Sequence, residues 1–69
     1  MIDLEKLRNL IDDSGLKMNF IASELNLSRG SLYHKLEGKT EFKVSEVQKL
    51  TRVLNMSNDM RDIIFFKNQ

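Results

Sequence analysis

The chain has 69 residues and a mass of 8.1 kDa, room for one small domain and no second. It is 41% hydrophobic and 30% charged with a formal net charge of +1, which excludes a disordered tail, and no apolar run approaches the ~18–20 residues that cross a bilayer. There is no cysteine and His34 is the sole histidine, so disulfides, cysteine-ligated zinc, a thiol nucleophile and a multi-histidine metal site are excluded together.

The apolar spacing is helical from end to end. Leu4, Leu7, Leu10 and Ile11 form the stripe of a first helix, with Asp3 as its N-cap and Gly15 as its stop. Met18, Ile21, Ala22 and Leu25 fall at i, i+3, i+4 and i+7 and define a short second helix. Asn26 follows it, a residue type that accepts a left-handed turn. Ser28 caps a third helix that turns Leu32 and Leu36 inward and stops at Gly38. Residues 39–43 read as a polar loop containing Phe42. Val44, Val47, Leu50 and Leu54 mark a fourth helix, and Ser57 or Asn58 caps a fifth in which Met60, Ile63 and Ile64 share a face. No segment alternates like a strand, except that the run Ile63–Phe66 is too short for periodicity to decide. No repeat, linker or low-complexity stretch interrupts the pattern. The expected fold class is all-α, with five helices packed around one core.

The informative stretch covers about residues 17–37. Two short helices meet at the turn Asn26-Leu27-Ser28, and Ala22 provides the small side chain that lets them cross closely. Such a unit holds its second helix as a projecting ridge, and a helix fits the major groove of B-DNA, which is about 12 Å wide. The run from Leu16 through Arg29, with Leu32, Gly38-Lys39-Thr40 and Val53-Leu54-Asn55-Met56-Ser57 beyond it, resembles the helix-turn-helix of the lambda-repressor-like, Cro-type family (XRE) of small phage-type repressors. The resemblance covers about residues 4–64. It implies a compact all-α fold, binding to double-stranded DNA as a homodimer, and transcriptional control. The chain departs from the family pattern at four places. Asn26 stands where glycine is usual in the turn, and Met18 stands where the second helix usually starts with a polar residue. Phe20 lies nearly opposite the helix-2 stripe, and Lys35 occupies a position that is often apolar.

With Leu32 and Leu36 inward, Gly30, Ser31 and His34 turn outward, and Arg29 reaches past the helix start. The family's base-reading positions fall on Arg29, Gly30 and His34. Arg29 is the expected main reader, because guanidinium pairs with guanine O6 and N7. Ser31 and His34 are expected beside it, and Gly30 is expected to allow close approach to the groove wall. Ser28, Tyr33, Lys35, Lys39, Thr40 and Lys43 are the expected phosphate contacts, which position the helix without reading sequence. Charge agrees in a small way. Residues 1–14 set Lys6 and Arg8 against four carboxylates, a net of −2, whereas residues 28–43 carry Arg29, Lys35, Lys39 and Lys43 against Glu37 and Glu41, a net of +2.

The aromatic end needs a partner of its own. Phe65 and Phe66 point away from the helix-5 stripe, and with Phe20 they are the expected dimer or partner interface. A domain of this size rarely draws more than ~3–5 kcal/mol from a single core, so association is an expected further source of stability. No cofactor, metal, membrane or small-molecule substrate is expected. The N-terminus lacks the basic start and apolar centre of a secretion signal, so the expected location is cytoplasmic. An enzyme is not expected: the paired carboxylates Asp12-Asp13 and Asp59/Asp62 sit at helix ends or on exposed faces, where solvation and helix dipoles account for them. The competing reading is a protein-binding module on the same fold, an antitoxin-like or regulator-partner chain that uses its phenylalanines as anchors.

Overall fold

The computed structural model describes residues 2–66. Among them run five α-helices and no strand: α1 Leu4–Ser14, α2 Met18–Glu24, α3 Arg29–Leu36, α4 Val44–Val53 and α5 Asn58–Phe65. The protein is all-α, as the periodicity predicts, and the ambiguous run Ile63–Phe66 belongs to α5 and its end.

Local chemistry sets the boundaries. Asp3 Oδ1 accepts the Lys6 N–H at 3.0 Å, Ser28 Oγ accepts the Ser31 N–H at 3.0 Å and Ser57 Oγ accepts the Met60 N–H at 3.0 Å. Each of these caps satisfies one of the amides a helix start leaves unpaired. α4 starts differently. The Lys43 N–H donates to Glu46 Oε1 at 2.8 Å, the reverse half of a capping box.

Three helix ends share one closure, a left-handed residue followed by an amide that reaches back across the last turn. After α2, Asn26 has φ 57° and the Leu27 N–H donates to Ala22 O at 2.9 Å. After α3, Gly38 has φ 82° and the Lys39 N–H donates to His34 O at 2.9 Å. After α4, Asn55 has φ 52° and the Met56 N–H donates to Thr51 O at 2.8 Å.

The core draws on all five helices: Leu7 and Ile11, Ile21 and Ala22 with Leu25 after them, Leu32 and Leu36, Val47 and Leu50, then Ile64 and Phe65. α2 packs on α3 and α4, α1 on α3 and α5, and α4 on α5. Two bonds lock α1 in place. The Asp3 N–H donates to Ile64 O at 2.8 Å, and Arg8 Nη1 donates to Leu36 O at 2.8 Å, closing a carbonyl at the end of α3.

Two expectations are corrected by this packing. Val44 is 69% exposed and leaves the α4 stripe. It opens the helix, and at about 100° per residue it lies about 120° from Leu50, at the edge of the buried arc. Phe65 is only 6% exposed, so it is not an interface residue. Its ring is buried in the chain's own core and meets Phe42 edge-on, with centroids 5.9 Å apart and planes at 86°, a favoured aromatic geometry. Phe42 is accordingly half-buried, although it lies in an otherwise polar loop. No helix among the described residues is long and apolar enough to cross a membrane.

Candidate nucleic-acid interface

α3 is held from behind by Leu32 and Leu36, both buried, and by the contact of α2 across the four-residue connection 25–28. Ala22 is buried in α2 and Leu27 is half-buried in the connection. The opposite side of α3 is exposed over its whole length, with Arg29, Gly30, Ser31, Tyr33 and His34, then Glu37 just beyond. The expected outward positions therefore share one surface.

The details differ from residue to residue. The Arg29 guanidinium carbon lies 5.6 Å from the centroid of the Tyr33 ring, one turn further along, so the ring limits where the guanidinium goes. The Ser28 hydroxyl donates to Ser31 Oγ at 2.9 Å while accepting the Ser31 N–H, so the two serines are tied together at the helix start. A Cβ built on Gly30 meets nothing within 4 Å. The chain's own packing therefore gives no reason for glycine there, although glycine inside a helix is unfavourable by up to ~1 kcal/mol relative to alanine. His34 is exposed in the last turn. In the loop, Lys39, Thr40 and Lys43 are exposed, and Lys39 Nζ stands 3.5 Å from Glu37 Oε1 in a solvated pair.

Lys35 is the correction. The sequence places it among the phosphate contacts, but only 8% of it is exposed. Its ammonium donates to Glu41 O at 2.7 Å and lies 3.2 Å from Glu46 Oε1, with the Phe42 ring centroid 5.9 Å away. A buried side chain committed to the Glu41 carbonyl and the buried Glu46 carboxylate is not available to a ligand. Glu46, itself 6% exposed, is the residue the sequence reading missed. The available signal was its place three residues after Lys43, where a capping-box glutamate belongs.

Among the aromatic candidates Phe20 is 48% exposed on α2 and Phe66 49% exposed after α5, the latter with the Arg61 guanidinium carbon 6.0 Å from its ring centroid. Among the described residues no group of three or more His, Asp or Glu side chains stands where it would hold a metal ion. No protein-family model, curated protein or solved structure matches the chain. Its function is therefore to be sought in its own side chains.

Proposed function

We propose that the protein is a sequence-specific double-stranded DNA-binding regulator that lays α3 into the major groove, in the manner of a small phage Cro-type repressor. One observation carries the reading: Arg29, Gly30, Ser31 and His34 share the exposed side of a helix that Leu32 and Leu36 hold rigidly from behind. Arg29 is the principal base reader, with Ser31 and His34 beside it. Lys39, Thr40 and Lys43 contact backbone phosphates, with Tyr33 and the capped start at Ser28 flanking them. The simplest mechanism is occupancy of a promoter by a homodimer that reads two half-sites about 34–36 Å apart. Phe20 and Phe66 are the residues offered for its dimer surface.

Selection of bound duplexes from a random pool at moderate salt tests this. Enrichment of a two-fold symmetric site is the expected result, and sedimentation of the free protein reads the dimer separately. Weak, steeply salt-dependent retention without enrichment would instead favour a protein-binding module, for which the exposed Phe20 ring is the observation in hand.

A further inference from the structure

We infer that Lys35 and Glu46 act as a clamp that fixes the loop after α3 in the form in which it meets the phosphate backbone, which makes Lys35 a positioning residue and not a DNA contact. The inference rests on the proposed role of α3. The loop 37–43 has no helix or strand of its own, and it exposes Lys39, Thr40 and Lys43 together with the carboxylates Glu37 and Glu41. Such a segment is ordinarily mobile, and ordering it on binding lowers affinity.

Here it is held at both ends and in the middle. At the start, the Gly38 N–H donates to Lys35 O at 3.2 Å and the Lys39 N–H to His34 O at 2.9 Å. In the middle, Lys35 Nζ takes the carbonyl of Glu41 at 2.7 Å. At the end, Glu46 Oε1 receives the Lys43 N–H at 2.8 Å. The same carboxylate oxygen faces the Lys35 ammonium at 3.2 Å, so one contact couples the middle tether to the end tether. Phe42, between them, packs its ring beneath the ammonium and against Phe65. Inward-facing Phe42 and the inward carbonyl of Glu41 leave Lys39, Thr40 and Lys43 on the outside.

Stability alone does not account for a lysine here. A buried ion pair is commonly no better than apolar side chains of the same volume, and a methionine would fill this position. What an apolar residue cannot do is bond the Glu41 carbonyl, and that bond acts on the shape of the loop.

The test compares wild type with Lys35→Met and with the double variant Lys35→Met/Glu46→Gln. The double variant leaves no buried charge unpaired and keeps an oxygen for the Lys43 N–H, so it folds even where the single variant fails. Ile64→Val is a destabilised control that leaves the contacts among Lys35, Glu41, Lys43 and Glu46 in place. Two quantities are read: amide exchange of residues 39–43, and the salt dependence of duplex binding. Loss of the clamp is expected to speed loop exchange by about tenfold. It is also expected to flatten the salt slope by about one to two units, at ~0.9 per phosphate contact. The preferred bases stay as in wild type, and Ile64→Val changes neither the slope nor the preference. Loop exchange at the wild-type rate, or an unchanged slope, overturns the proposal. A wild-type chain that retains no duplex overturns the DNA reading instead, and loop exchange then still decides whether the clamp exists.

Discussion

Arg29 and Lys35 are two cations on one eight-residue helix, and they meet opposite fates. Arg29 stands on the exposed side with the Tyr33 ring against it, whereas Lys35 is enclosed and bonded to a carbonyl and a carboxylate. The difference comes from what the next element brings: α4 carries Glu46 to the inner side of α3 and nothing to the outer side. A formal charge count treats the two alike. Only the outer one is available to a partner, so within residues 28–43 the exposed cations are Arg29, Lys39 and Lys43, one fewer than the sequence suggests.

That contrast is open to direct challenge. Glu46→Ala strips Lys35 of its carboxylate and removes the Lys43 tether, and it is expected to destabilise the fold by about 3–5 kcal/mol, the usual result of orphaning a buried charge. Denaturant unfolding measures it, and a loss under about 1 kcal/mol would mean that Lys35 is less enclosed than described. Arg29→Ala should do the reverse. Stability stays within about 0.5 kcal/mol, while binding to the selected duplex weakens by about 1–3 kcal/mol and base preference relaxes at one position. Titration with matched and mismatched duplexes checks this, and an unaltered preference removes Arg29 from the reading. Gly30→Ala sharpens the comparison, because it separates folding from binding at one atom. The added Cβ meets nothing in the free protein, so thermal unfolding should show a gain of about 0.5–1 kcal/mol. Binding of the same variant should weaken, and a gain in both would leave Gly30 without a role. Smallest of all, Glu37→Ala breaks the exposed pair with Lys39 and should shift stability by less than about 0.5 kcal/mol. Lys39→Ala, by contrast, should lower the salt slope of binding by about one unit.

The local features were legible in the sequence because local rules govern them. Asp3, Ser28 and Ser57 are capping residue types at capping positions, and Asn26 and Gly38 tolerate the left-handed backbone that closes a helix. Asn55 closes α4 by the chemistry used at Asn26, and the same reasoning would have found it. The outward side of α3 follows from the spacing of Leu32 and Leu36. Lys35 and Phe65 were misread for a different reason. Each is decided by a partner distant in sequence, Glu46 for one and Phe42 for the other, and no helical period reports a contact across a loop. Val44 fits the period but falls where the helix begins, at the margin of the buried arc.

The bond from the Asp3 amide to the Ile64 carbonyl has a kinetic consequence. It joins α1 to α5 across nearly the whole described chain, whereas α2, α3 and the closures between helices are built from near neighbours. Closing the longest loop carries the largest entropy loss, so this junction is expected to be the last to assemble and the first to open. The middle helices would then form early, and the protein would breathe at the seam between α1 and α5.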